Sequence, residues 1–366
     1  MFNNAERSII KGNFILRSVV LVLFSGLFLI TGCSPGQESQ VRVIDLYVDA
    51  IMLRELNENE MAIEKLNTAI QQQEDFSLAY SLMGEIYQQL KDYEKSAASY
   101  EKAASLNPWS FKDNFNLGRA YQLMEKFKQA VKAYVRACTL KPYHFDAHLN
   151  AAKCYYRIEN YDGALRYSKR AEIIDPNIVE VQNMLGSLYD HQKDYDQAIA
   201  SYKRSLEIDS NDPAIMTSLA IAYLKTNRNE VAKQLLISTI KIQPENNLAF
   251  QHLGYCYLRF YDKAVNQHRQ LLQTAPAERQ KLDSLRKDAV NAMEQAVASY
   301  QKAVEIDEND WQARRGLGVA YMLDALGKND DELKEKAIEE WGKCIEIKPD
   351  QPRREQLIKL IEKYSK

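Results

Sequence analysis

Residues 111–142 read FKDNFNLGRAYQLMEKFKQAVKAYVRACTLKP, and the spacing within this stretch decides the fold. Leu117, Gly118 and Tyr121 fall at i, i+1 and i+4, on one stripe of a first helix. Ala130, Tyr134 and Ala137 fall at i, i+4 and i+7, on one stripe of a second. A glycine inside a helix costs roughly 1 kcal/mol relative to alanine. Gly118 therefore implies a partner helix that comes too close for a side chain, with the tyrosines filling the space beyond. Pro142 ends the second helix, because a helix interior accepts neither its ring nor its missing N–H.

Outward from this stretch the same features recur every 34 residues. Gly84, Gly118, Gly186 and Gly254 share one register, and Ala152 and Ala220 occupy its gaps. Tyr87, Tyr121, Tyr155, Tyr189, Tyr223 and Tyr257 follow three residues later, and Pro108, Pro142, Pro176 and Pro244 keep the same period. A period of about 34 residues with these residue types is the signature of the tetratricopeptide helix–turn–helix. From about residue 43 onward the chain resembles a tetratricopeptide-repeat (TPR) protein. About eight repeats fit, beginning near Val43, Ser77, Phe111, Phe145, Val179, Pro213, Asn247 and Trp311. The resemblance implies an all-α, right-handed superhelical solenoid over residues 43–350. Residues 351–366 then supply a polar-faced capping helix that seals the last apolar face.

Two repeats break the period. Gly118 and Ala130 are twelve residues apart, but Gly254 and Ala296, the matching pair in the seventh repeat, are forty-two apart. The difference is an insertion of thirty residues at about 261–292, charged and helical in pattern, with Pro276 in its middle. An alternative parsing takes Tyr261, Ala264, His268 and Leu271 as a shortened second helix, followed by one long helix over residues 278–306. The eighth repeat has seven extra residues around 327–333.

The first 32 residues stand outside the repeats. Arg7, Lys11 and Arg17 precede an apolar run over residues 18–30, too short for a membrane span of about 20 residues and in keeping with a secretory signal. Its end, Ile30-Thr31-Gly32-Cys33, resembles the lipobox of bacterial lipoproteins. That resemblance implies cleavage before Cys33, diacylglycerol on its sulfur and a further acyl chain on the new N-terminus. At about 0.8 kcal/mol per buried CH₂, such chains hold a protein on a membrane without a spanning helix. Residues 33–42 are then the lipidated Cys and a tether. Ser34 after the Cys resembles the pattern sent to the outer membrane in enteric bacteria.

Composition narrows the chemistry. With 48 basic and 50 acidic residues the chain has no overall field for nucleic acid. Cys138, Cys154, Cys256 and Cys344 fall inside expected helices without CxxC or ligand spacing, and read as buried thiols, with a Cys138–Cys154 bridge as the alternative. His144 and His148, four apart with Asp146 between, imitate a metal site but lack a third ligand. There is no HExxH, phosphate loop, GxSxG or nucleotide fingerprint. No catalytic residues, metal or cofactor are expected.

By resemblance, first helices line the groove in which such solenoids hold peptides. The residues pointing away from the Gly/Tyr stripe are Lys112, Phe115 and Arg119 in the third repeat, and Leu149, Lys153, Tyr156 and Arg157 in the fourth. The fifth offers Asn183, Ser187 and Asp190. The sixth and seventh turn apolar with Ile221, Leu224, Tyr255 and Leu258, continued by Val319 and Met322 in the eighth. The basic–aromatic cluster reads either as a seat for an acidic segment or as a groove wall whose charges pair with neighbouring acids. The apolar stretch reads either as a partner site or as a surface covered by the insertion.

The expectation is a membrane-tethered scaffold or adaptor without enzymatic activity, lipid-anchored in the cell envelope and binding protein or peptide partners. The TPR lipoproteins it resembles include adaptors for periplasmic proteases and peptidoglycan hydrolases, and pilotins for pilus secretins. A pilotin-like role, self-association through the apolar C-terminal repeats, and an enzyme or small-ligand receptor using the insertion are the alternatives.

Overall fold

The computed structural model describes residues 35–365, so the leader and Cys33 lie outside the described residues. Seventeen α-helices and no strand are found among them. No described helix is long and apolar enough to cross a membrane.

The chain divides into a body ending at Leu140 and a body beginning at Lys141. The first contains three helix pairs: α1 (Pro35–Glu55) with α2 (Asn59–Gln72), α3 (Ser77–Gln89) with α4 (Tyr93–Leu106), and α5 (Phe111–Leu123) with α6 (Phe127–Leu140). The second contains five pairs: α7 (Phe145–Arg157) with α8 (Tyr161–Ile174), α9 (Val179–His191) with α10 (Tyr195–Ile208), α11 (Pro213–Lys225) with α12 (Asn229–Ile242), α13 (Asn247–Thr274) with α14 (Arg279–Ile306), and α15 (Trp311–Lys328) with α16 (Asp331–Ile347). A last helix, α17 (Arg354–Tyr364), packs on α16. Helix α1 reaches back to Pro35, so most of the stretch read as a tether is helical.

The close approach inferred from glycine is visible in each body. A Cβ on Gly84 would lie 2.8 Å from the Tyr100 ring, one on Gly118 2.8 Å from Tyr134, and one on Gly186 2.5 Å from Tyr202. In each case the ring comes from the second helix of the same pair, sixteen residues on. Where the first helix carries Ala152 or Ala220, the residue sixteen further on is Ser168 or Leu236 rather than tyrosine. Small residue and ring are thus matched pair by pair. The fourth repeat inverts the arrangement, with Gly163 on the second helix facing Tyr155 of the first at 2.5 Å.

The turns within pairs share one device. Asn57, Lys91, Glu125, Glu159, Lys193 and Asn227, each 34 residues after the last, stand in the left-handed region with φ between 56° and 63°. The next N–H reaches back to close the first helix, as when Asp92 donates to the Tyr87 carbonyl at 2.9 Å. The same residue often opens the second helix: Asp92, Asn160 and Asp194 accept from the N–H groups of Lys95, Gly163 and Gln197.

The seventh repeat lacks this turn, which corrects the reading of a separate inserted element and of a shortened second helix at Tyr261–Leu271, whereas the long helix expected over residues 278–306 is present as α14. Five residues separate Tyr189 from Tyr195, but only three separate Tyr257 from Tyr261. With no room for a left-handed residue and a cap, α13 runs through Tyr261 to Thr274, and no second helix starts there. The extra residues lengthen both partners to 28 residues, about 42 Å at 1.5 Å per residue. Ala264, Leu282, Ala289 and Met293 are buried along this hairpin. Its base is held by Leu258 and Tyr261, which join the cluster containing Leu323 of α15. The extra residues of the eighth repeat likewise extend α15 and α16 instead of forming a loop.

Two stability measurements test this account. Gly118→Ala should destabilise by roughly 1–3 kcal/mol through overpacking on Tyr134. In a Tyr134→Leu background the same change should be neutral or slightly stabilising, because alanine is the better helix former by about 1 kcal/mol; additive urea-denaturation shifts would contradict a steric pairing. At Glu159, φ 59°, glycine should raise stability by about 0.5–1 kcal/mol and valine should lower it, since only glycine escapes the left-handed penalty.

Candidate functional site

In the first body the expected basic groove residues are largely occupied. Lys112 pairs with Glu85, which also accepts from Arg54 at 2.9 Å, so the ammonium is balanced within its own body. Phe115 packs edge-on against Tyr134 and stacks on Phe111, with ring centroids 5.6 Å apart in both contacts. Arg119 is exposed.

In the second body Leu149 is not a groove residue. It is 6% exposed and packs with Val181 and Leu185, filling the seam to the next repeat. Leu149 thus lies on the face of α7 that packs on the following pair. Lys153 reaches Glu180 at 2.7 Å. Tyr156 is exposed and meets Tyr161 edge-on, and Arg157 is exposed beside it. Farther along, Ser187 Oγ lies 3.4 Å from the Tyr202 hydroxyl, and Asp190 accepts from Lys225 Nζ at 2.7 Å. Asn183 keeps a buried Oδ1 without a hydrogen-bond partner. Lys112 and Lys153 therefore act as partners of local acids, in line with a paired groove wall.

The apolar residues lead to a different result. Ile221 and Leu224 of α11, Tyr255 and Leu258 of α13, and Val319 of α15 line one groove of about 590 Å³. Leu224 also faces inward on Leu236 and Leu253, which leaves it 7% exposed, whereas Tyr255 is 44% exposed. Met322, expected on the same stretch, is buried with Trp341 and Leu357 in the terminal core instead. The groove is not covered by the insertion, whose residues are absent from its lining.

Several lining residues were not anticipated. Helix α17 supplies Leu357 and Leu360, and Arg353 stands at its N-terminus with φ 66°. The expected cap thus seats Leu357 and Ile361 against the last repeat, with Leu357 also reaching the base of the groove and exposed Leu360 standing on its wall. The floor is Gly316, where a Cβ would collide with the Tyr300 ring. Tyr300 also faces Gly254, where a Cβ would lie 2.7 Å away. A legible signal existed: Gly316 lies two residues before Gly318, at a position filled by larger side chains in the earlier repeats. His252 lines the same wall, its pKa pushed down to about 4 by burial and then by the Lys225 charge, so its imidazole is neutral at pH 7.

The residues weighed for other chemistry have structural tasks. His144 caps α7 by accepting the Ala147 N–H at 3.3 Å. His148 Nε2 lies 2.9 Å from the Pro142 carbonyl, which fixes that nitrogen as the donor and leaves Nδ1 buried without a hydrogen bond. Cys138, Cys154, Cys256 and Cys344 are free and buried, and burial pushes the first three thiols up to about 12. Such thiols are not nucleophilic at neutral pH.

Three family models, each described as tetratricopeptide repeat, match residues 191–254, residues 78–108 and 290–310, and residues 115–177 and 166–213. No curated protein matches the chain significantly. Among solved structures, YrrB, described as a TPR protein with an unusual peptide-binding site, is 21% identical with a TM-score of 0.47, covering 50% of this chain and 95% of its own. MamA from Desulfovibrio magneticus RS-1 is 16% identical with a TM-score of 0.41, covering 46% and 96%. The Cut9–Hcn1 hetero-tetramer of the APC/C is 14% identical with a TM-score of 0.43, covering 76% and 52%. With paired helices, matched glycine and ring, a 34-residue period and three tetratricopeptide-repeat family models matching along it and beyond its break, the chain belongs to the tetratricopeptide-repeat family.

Proposed function

We propose that this protein is a lipid-tethered interaction scaffold of the bacterial cell envelope, which holds a segment of a partner protein in the groove between α11, α13, α15 and α17 and catalyses nothing itself. The observation that carries this reading is the groove: a trench walled by three successive first helices, apolar at its base, with Tyr255 and Leu360 exposed on its sides. Exposed apolar surface of this kind marks association sites in soluble proteins. The tether rests on the Ile30-Thr31-Gly32-Cys33 sequence, and outer-membrane placement rests on Ser34.

A photo-crosslinking residue at Tyr255 or Leu360 in cells should yield a discrete adduct, while one at exposed Val231 on α12 should not. Tyr255→Glu should abolish that adduct and leave the melting temperature within about 1–2 °C, because the side chain is already half in water. Equal capture from Val231, or capture unaffected by Tyr255→Glu, would place the binding surface elsewhere. Leu224 and Leu258 are unsuitable for this purpose because both carry core contacts.

The tether is tested independently. Wild-type protein should incorporate labelled palmitate and sediment with membranes, and Cys33→Ser should do neither. A Cys33→Ser protein that stays membrane-bound with unchanged labelling would show that this cysteine is not the anchor.

A further inference from the structure

The groove carries a charge its own walls do not balance. Lys225, Arg315 and Arg353 line it, and no carboxylate does. Lys225 is matched by Asp190. Arg315 lies over the Trp311 ring at 5.1 Å, and neither its guanidinium nor that of Arg353 makes an ion pair or hydrogen bond among the described residues. Both stand beside the apolar surface of Val319, Leu357 and Leu360.

This combination constrains the occupant. An apolar segment laid over the trench would strip water from two guanidinium groups, and an uncompensated buried charge is strongly unfavourable. A segment that brings its own carboxylates avoids that penalty and gains charge-assisted, bidentate contacts. Gly316 adds a site for one apolar side chain, since nothing projects from it and the Tyr300 ring backs it.

From the groove reading above, we infer that the partner segment is acidic and apolar together: its apolar side chains lie on Val319, Leu357 and Leu360 over the Gly316 floor, and its carboxylates meet Arg315 and Arg353. Helix α17 is then part of the recognition site as well as the seal of the last repeat. Its N-terminal Arg353 and the Leu357–Leu360 side act on the same ligand.

The test uses the full chain and a displayed library of random peptides. Panning should enrich sequences that combine Asp or Glu with Leu, Ile or Phe, and the acidic preference should vanish against an Arg315→Gln/Arg353→Gly variant. Glycine suits the positive φ of residue 353, so that substitution removes the charge without backbone strain. An enriched peptide carrying fluorescein should lose about tenfold in affinity, read by anisotropy, on loss of each arginine, the size expected for a charge-assisted hydrogen bond. It should also weaken as salt rises.

Enrichment of neutral apolar peptides that Tyr255→Glu still blocks would overturn the acidic partner and keep the groove. Peptides insensitive to Tyr255→Glu, or no enrichment above a non-binding control, would overturn both. A concentration-dependent dimer that Leu360→Glu dissolves would make a second copy of this chain the occupant and overturn the inference.

Discussion

Four of the described pairs solve the same packing problem with a tyrosine of the second helix: a flat ring must lie against a neighbouring helix closely enough to exclude water. The ring comes within 2.5–2.8 Å of where the Cβ of Gly84, Gly118, Gly186 or Gly254 would stand. That distance is inaccessible to any side-chain carbon, so glycine's propensity penalty of about 1 kcal/mol is offset by the burial of an aromatic ring. Buried Tyr100 then contributes to the surface on which the next pair packs, together with Leu117 and Ala120. Changing one member without the other breaks the stack locally, which is why Ala152 and Ala220 appear opposite Ser168 and Leu236.

The register was readable because this constraint is local and strict. Glycine, tyrosine and proline at fixed offsets mark first helix, second helix and stop, and first helices begin at Ser77, Phe111, Phe145, Val179, Pro213, Asn247 and Trp311. The insertion was harder to read because its cause is a short absence. Two residues missing between Tyr257 and Tyr261 remove a left-handed turn, and a helix with no stop signal continues. Periodicity alone counts the surplus residues but cannot tell a separate element from two lengthened ones.

The candidate site was legible only in part, for physical reasons specific to each residue. Leu149 shares the face spacing of its neighbours yet falls on the seam between pairs, since a helix has no sharp boundary between groove face and stacking face. Lys112 and Lys153 have the composition of an anion seat, but Glu85 and Glu180 come from neighbouring helices about 27 residues away in sequence, where no short-range pattern signals a partner. Arg353, Leu357 and Leu360 were hidden behind their role in the cap. A terminal helix has two sides, and its sequence reports the buried one more clearly.

The groove and the stack share one residue, and that links specificity to stability. In the third repeat Tyr134 presses on a single glycine, whereas Tyr300 presses on two, Gly254 in its own pair and Gly316 in the next. Any side chain at Gly316 would fill the groove floor and displace this ring at once. The recess can therefore be reshaped from its walls, at Tyr255, Val319 or Leu360, but not from its floor. A repeat protein that varies its partners by surface substitution would keep Gly316 and Tyr300 fixed and change the residues around them. The two unmatched arginines stand on those walls, where charge can be altered without disturbing the packing that makes the groove.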